Sequence, residues 1–253
     1  YLAHRPDPAK SYWIVIIGGS TVAQAKWLSY LETEVAKYVH RPVFISGLAC
    51  GSYNTTQERI ISDFIAFPAK PDLIIYFHGT NDIDVSTTGT RPGDPYDQGV
   101  VFKKVYSLGA ATLFHLTRVS HSVHHFVKRY IAVQLDKIKR SLLHDKNKAA
   151  TYAQSVANIY NQNVKTMLEN CHMRHLRCFS VMQPLHVIAE KHIQRVAAKS
   201  VPFGDDFGTL SYLKMRETTP EEFDTNSLFT SASQLAYFKD SCHFSQEGFE
   251  KFP

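Results

Sequence analysis

Three short apolar runs dominate the first third of the chain. Each stops at small or polar residues, and the first two then give way to a helical pattern. The runs cover about 12–17, 43–46 and 72–77, rich in Ile, Val and aromatic residues, which reads as buried strands. Between them, Val22, Ala25, Leu28, Leu31 and Val35 are spaced as one buried stripe of a helix reaching about Tyr38. A second helix is expected over about 56–67, with Ile60, Ile61, Phe64 and Ile65 inward and Pro68 at its end. Strand–helix alternation of this kind implies a parallel sheet with right-handed crossovers. The expected fold is a three-layer α/β/α sandwich around a parallel sheet of about five strands. Strand one should lie between strands two and three, in the flavodoxin-like order.

In such a sheet, reactive residues belong at the carboxyl ends of the strands. Ser20, Ser52 and Asn81 all fall just beyond such ends. Ser20 follows Gly18-Gly19 and opens a helix, so its hydroxyl would sit beside unpaired backbone N–H groups. That setting suits a nucleophile next to a developing oxyanion. It suits a phosphate cradle as well, and a plain turn between strand and helix. A serine nucleophile needs a base within hydrogen-bond reach. His243 is the candidate, with Asp240 three residues earlier able to hold the other ring nitrogen.

Four blocks of the chain together resemble the SGNH hydrolase superfamily, also called GDSL esterases and lipases. Ser20, in Gly-Gly-Ser-Thr rather than Gly-Asp-Ser-Leu, matches the nucleophile block. Asn81, in Gly79-Thr80-Asn81-Asp82, matches the Gly-x-Asn-Asp block. Asp240 and His243 match the Asp-x-x-His block. In the second block, aligning Tyr53-Asn54-Thr55 makes Ser52 the backbone oxyanion donor, and a shift of one residue makes it Gly51. The resemblance covers roughly 12–82 and 150–252. The Gly-Gly-Ser-Thr form, the segment 53–58 and Gln183-Pro184 after a later strand look like a subgroup often attached to bacterial cell envelopes. It implies a serine esterase working through an acyl-serine intermediate. Ser20, Asp240 and His243 would be its triad, and Ser20, Asn81 and either Gly51 or Ser52 its oxyanion hole. It implies no metal and no organic cofactor. The substrate would be a small-molecule or glycan ester, such as an O-acylated carbohydrate. An O-acyltransferase with the same triad and a non-catalytic binding module on the same fold are the competing readings.

The remaining chain reads as parts of one domain, 1–253. Residues 84–99, directly after Asn81, are a loop bordering the pocket. Residues 100–173 are a helical elaboration with its last helix over 150–171. Residues 185–199 form another helix, and 200–235 are irregular. With 253 residues, of which 44% are hydrophobic, the chain can bury a sizeable core. The net charge of +5 comes from scattered cations such as Lys137, Lys139 and Arg140, read as solvated helix faces. No nucleic-acid motif is present, and no apolar run approaches a membrane span. The first residue is Tyr1, so the native chain is expected to begin earlier, with any signal peptide or envelope anchor in that part.

Other polar groups carry weaker readings. His121, His124 and His125 could share a helix face and bind a metal. Cys171-His172 with His175 is a lesser candidate, and His78 reads as a packing or pocket-wall residue. Asn54-Thr55-Thr56 matches a glycosylation sequon, judged accidental because it lies in the oxyanion loop. The plain expectation for Cys50, Cys171, Cys178 and Cys242 is four free thiols, Cys178 buried in a strand, with a Cys50–Cys242 disulfide as the alternative.

Overall fold

The computed structural model describes residues 10–24, 26–86, 92–93, 146–198, 207–217, 224–240 and 242–245, with Asp7, Pro95 and Gly248. Strand β1 (Tyr12–Gly18) is followed by the single turn α1 (Ser20–Ala23) and helix α2 (Lys26–Ala36). Then come β2 (Val43–Ala49), α3 (Thr55–Ile61), β3 (Leu73–His78), α4 (Thr80–Ser86), α5 (Lys146–Met173), β4 (Cys178–Met182), α6 (His186–Ala198) and α7 (Phe207–Arg216). The expected long first helix is therefore broken at Gln24. The indole Nε1 of Trp27 caps the break by donating to the Thr21 carbonyl at 2.8 Å.

All strand pairings in the sheet are parallel, in the order β2-β1-β3-β4. β1 lies between β2 and β3, as expected. Among the described residues the sheet has four strands, against the about five expected. Beyond β4, pairing shrinks among the described residues to one parallel bridge between Met182 and Asp224.

β1 is buried on both faces, as a central parallel strand must be. Ile14 and Ile16 pack with Val22, Leu28, Val43 and Ile45 toward α2. Trp13, Val15 and Ile17 pack with Phe67, Tyr76, Met167 and Cys171 toward α3 and α5. Each such side chain, fully buried, is worth about 1.5–3 kcal/mol. A further cluster joins Ile83 of α4 to Ala153, Tyr160, Tyr212 and Met215 of α5 and α7. Helix α7 lies within the stretch expected to be irregular. Its pattern, interrupted by Gly208, hides a buried face of Phe207, Tyr212 and Met215. Residues 96–145, and with them His121, His124, His125 and most of the expected elaboration, lie outside the described residues.

Helix α3 presents the opposite face to the one its apolar residues suggest. Thr55, Glu58, Ser62 and Ala66 point inward and Ile61 packs against the core as expected, while Ile60, Phe64 and Ile65 are exposed. The cause is polar. Asp82 holds the helix start through Thr55, and Glu58 bonds His78 in the core. A π turn (Ser62–Ala66) then re-registers the helix, which passes through Pro68 in a last turn (Phe67–Ala69). Left-handed Lys70, at φ 51°, ends it. Cys171 and Cys178 form a disulfide joining the end of α5 to β4, which overturns the expectation of four free thiols. Neither Cys50 nor Cys242 is disulfide-bonded, so the Cys50–Cys242 bridge does not form, and the Cys171–Cys178 bond removes the Cys171 thiolate a metal site there would need. No helix among the described residues is long and apolar enough to cross a membrane.

Candidate active site

Gly18, the last residue of β1, pairs with Ala49 of β2 and Phe77 of β3, so the turns after these three strands meet. A Cβ on Gly18 would lie 2.4 Å from the Phe77 carbonyl oxygen, and one on Gly19 would lie 2.0 Å from Asn81 Nδ2. Gly18 is therefore demanded by the Phe77 backbone, while a side chain at Gly19 would have to displace the end of the Asn81 side chain. Ser20 opens α1, which is one turn only. It offers N–H donors but little of the macrodipole expected from a long helix.

Asn81 sits in the first turn of α4, after Gly79 at φ +107°, a conformation that favours glycine. Its Nδ2 donates to the Tyr53 carbonyl at 2.8 Å, leaving the second amide hydrogen for another acceptor. Residues 50–53 form a turn closed by Tyr53 N–H to the Cys50 carbonyl at 3.3 Å. Within it Ser52 takes φ +63° and Gly51 does not take a positive φ. A positive φ at the third residue is the mark of a type II turn, where glycine is usual. Ser52 thus holds the glycine-like conformation at the position where the aligned pattern has glycine.

The last block arrives from far along the chain. Phe238 and Phe244 pair as an antiparallel bridge and pack with Phe229 and with Ala189 of α6. Lys239 N–H bonds the His243 carbonyl at 2.7 Å, closing the loop between them. Inside it, Asp240 Oδ1 accepts the backbone N–H groups of Cys242 (3.1 Å) and His243 (2.9 Å). Both carboxylate oxygens lie 2.9 Å from His243 Nδ1. Partial burial raises the affinity of Asp240 for its proton. The Cys242 and His243 amides and the His243 ring outweigh that and hold the carboxyl below its ordinary range. His243 Nε2 lies 2.6 Å from Ser20 Oγ. The structure thus brings Ser20, His243 and Asp240 into one hydrogen-bonded line, and Asn81 and the 50–53 turn beside it.

Gln183 supplies a link that sequence reasoning noticed only as part of a Gln-Pro signature. Its Nε2 donates to Thr21 Oγ1 at 2.6 Å and to the Cys242 carbonyl at 2.8 Å. It therefore ties the turn after Ser20 to the loop carrying His243.

Behind the site lies a buried polar network. His78, expected as a packing or pocket-wall residue, is 2% exposed, which fits the packing reading. Its Nδ1 lies 2.7 Å from Glu58 Oε2 and its Nε2 2.9 Å from Ser180 Oγ. Burial lowers its pKa to about 4 and raises that of Glu58 well above the ordinary value. Asp82 accepts both the N–H (3.2 Å) and the hydroxyl (2.6 Å) of Thr55. Burial, and next the charge of Glu58, push it up to about 7. Asn81 and Asp82 thus grip Tyr53 and Thr55, on either side of Asn54. Asn54 is itself 1% exposed and caps α3, so the sequon is inaccessible.

A groove of about 630 Å³ flanks the Ser20 turn on the β2 side, lined by Val22, Ala23, Leu28, Phe44, Leu48 and Tyr53 among others. Of the loop 84–99 expected to border the pocket, only 84–86, 92–93 and Pro95 are described.

No family model matches the chain, and no curated protein matches it. Solved structures do. A lipase from a goat rumen metagenome superposes with a TM-score of 0.53 at 11% identity, over 94% of this chain and 92% of that one. A putative GDSL-like lipase from Parabacteroides merdae gives 0.52 at 13% identity, over 95% and 91%. An acetyl xylan esterase gives 0.51 at 10% identity, over 94% of each chain. At these identities the likeness is one of architecture: the chain has the α/β fold of these lipases and esterases, the fold that the SGNH resemblance implied.

Proposed function

We propose that this chain is a serine ester hydrolase of the SGNH kind. The observation that carries the reading is the 2.6 Å approach of Ser20 Oγ to His243 Nε2, with Asp240 on the other ring nitrogen. His243 takes the Ser20 proton as Oγ attacks the ester carbonyl. Asp240 steadies the resulting imidazolium. The oxyanion is met by the N–H groups of Ser20 and Ser52 and by the second N–H of Asn81. Of Gly51 and Ser52, the positive φ supports Ser52 as donor. Collapse of the tetrahedral adduct expels the alcohol, protonated by His243, and leaves an acyl-serine. Water, activated by the same imidazole, then releases the acid. No step calls for a metal or an organic cofactor.

Hydrolysis is favoured over transfer by the openness of the site, since the Asp240 side chain is 49% exposed and that of His243 22%. The substrate proposed is an O-acylated carbohydrate or a related envelope ester, its acyl part lying toward the apolar groove beside Ala23 and Tyr53. An extracytoplasmic setting is supported by the Cys171–Cys178 disulfide, since such bonds persist in oxidising compartments. Thiol titration of protein purified from that compartment should find two free thiols rather than four.

The reading is tested with p-nitrophenyl esters of increasing chain length and a fluorophosphonate probe. The probe should label Ser20 in the wild type, and His243→Ala should suppress labelling. Asn81→Ala should lower turnover by roughly 10²–10³-fold, the usual cost of one oxyanion donor. Hydrolysis unchanged in Ser20→Ala overturns the proposal. Ready labelling with hydrolysis only on addition of a sugar acceptor replaces it with the transferase.

A further inference from the structure

Cys242 lies between the two residues of the Asp-x-x-His block, and the mechanism gives it nothing to do. Its Sγ sits 3.6 Å from His243 Nδ1, on the side of the ring remote from Ser20. Asp240, Cys242 and His243 each present a ligand atom, and the three lie within 4.8 Å of one another. From these residues we infer a second property of the site, resting on the hydrolase reading for its consequence but not for the binding itself: Asp240, Cys242 and His243 form an inhibitory zinc site.

The ligand chemistry fits. Thiolate, imidazole and carboxylate are the three side-chain types that zinc selects, with Zn–S near 2.3 Å and Zn–N near 2.0–2.1 Å. A tetrahedral angle between bonds of those lengths puts sulfur and nitrogen about 3.6 Å apart, the separation found here. The Asp240 oxygens, at 2.9 Å from Nδ1, need to open by only a few tenths of an ångström to span a tetrahedral edge. Asp240 is the half-exposed member, so it is the one free to adjust, and its exposure gives the ion a path in. Oδ1 stays engaged with the two backbone amides, so Oδ2 is the ligating oxygen. Water completes the fourth position.

The consequence follows from the tautomer. In the working site Nδ1 carries the hydrogen toward Asp240, and Nε2 presents its lone pair to Ser20. A metal on Nδ1 requires that lone pair instead. The imidazole keeps its one proton, now on Nε2, and the Cys242 thiol gives its proton to solvent. Nε2 then donates to Ser20 Oγ and cannot take its proton, so the nucleophile loses its base. Asp240 is withdrawn from the imidazolium in the same event. Zinc therefore inhibits by occupying the far side of the histidine, without touching the serine.

The experiment is a zinc titration of metal-free protein, read in parallel by calorimetry and by p-nitrophenyl acetate hydrolysis, on wild type, Cys242→Ala, Cys242→Ser and Ser20→Ala. The wild type should bind one zinc per chain and lose hydrolysis in step with occupancy, with recovery on adding a chelator. Cys242→Ala should hydrolyse within about twofold of wild type, since it lacks only the extra ligand. It should bind zinc at least about tenfold more weakly, the lower end of what even an outer-shell loss costs a zinc site. Cys242→Ser, nearly isosteric, guards against a packing artefact and should behave likewise. Ser20→Ala should bind as the wild type does. Cobalt(II) should show a thiolate charge-transfer band that Cys242→Ala removes. Zinc affinity unchanged by Cys242→Ala, absence of one-site binding, or full occupancy without inhibition of an active wild type overturns the inference. A wild type inactive on every ester overturns the hydrolase reading instead, and calorimetry with the cobalt band still decides the zinc site.

Discussion

Gly19 and Asn81 touch: a Cβ added at Gly19 would fall 2.0 Å from Asn81 Nδ2. The turn carrying Gly19 and Ser20 and the turn after β3 are packed so closely that only hydrogen fits between backbone and amide. Gly19→Ala should displace the Asn81 amide while leaving Ser20 and His243 in place. Steady-state kinetics should show kcat lowered by roughly 10²–10³-fold, as for loss of an oxyanion donor, with fluorophosphonate labelling of Ser20 retained. Full activity in Gly19→Ala would show that Asn81 is not needed in its present position.

Ser52 bears a side chain where its backbone, at φ +63°, favours none. A left-handed residue costs roughly 1–2 kcal/mol, and glycine escapes this at a smaller cost in chain entropy. Ser52→Gly should therefore raise unfolding stability by up to about 1 kcal/mol and leave ester hydrolysis within a small factor of wild type, because the role proposed for this residue is that of its backbone N–H. Denaturant midpoints and kcat measured together check both halves. Strong loss of activity would mean that the Ser52 hydroxyl takes part.

Gln183 holds Thr21 and the Cys242 carbonyl with one amide nitrogen. Gln183→Ala releases the loop that presents His243. A misplacement near 1 Å can cost about 10²-fold, so kcat should fall roughly 10- to 100-fold with KM little changed. Gln183→Glu, which keeps the shape but offers no N–H, should fail in the same way. Unchanged kcat in both variants would show that the phenylalanine cluster alone positions the loop.

Asp82 makes stability depend on pH. Its pKa is raised from 3.8 to about 7 by burial and the neighbouring Glu58. The folded state therefore binds a proton that the unfolded chain has released, and the associated stability is present below pH 3.8 and lost as pH rises through about 7. His78, lowered from 6.5 to about 4, acts in the opposite sense: its contribution is present above 6.5 and lost as pH falls through 4. Comparing wild type with Asp82→Asn isolates the carboxyl. Between pH 5 and pH 8 the wild type should lose about 2–3 kcal/mol relative to the variant, read from urea midpoints at each pH. Parallel curves for the two proteins would place the Asp82 pKa near its ordinary value.

Sequence alone determined the parallel sheet and its strand order, because period, strand endings and crossover handedness are local properties of the chain. It also singled out Ser20, Asn81, Asp240 and His243, through short blocks that together resemble those of the SGNH hydrolases. What it misjudged were contacts between distant segments. The apolar face of α3 turned outward because Glu58 found His78 and Thr55 found Asp82, partners 20 and 27 residues away. The Cys171–Cys178 bond needed the end of α5 to fold back against β4. The backbone angle that distinguishes Ser52 from Gly51 is likewise visible only in the folded chain. The roles of Gln183 and Cys242 depend on the 223-residue return that sets His243 beside Ser20. Such pairings have no period and no local propensity; they exist only where packing brings the chain back on itself, and there the tertiary structure alone decides.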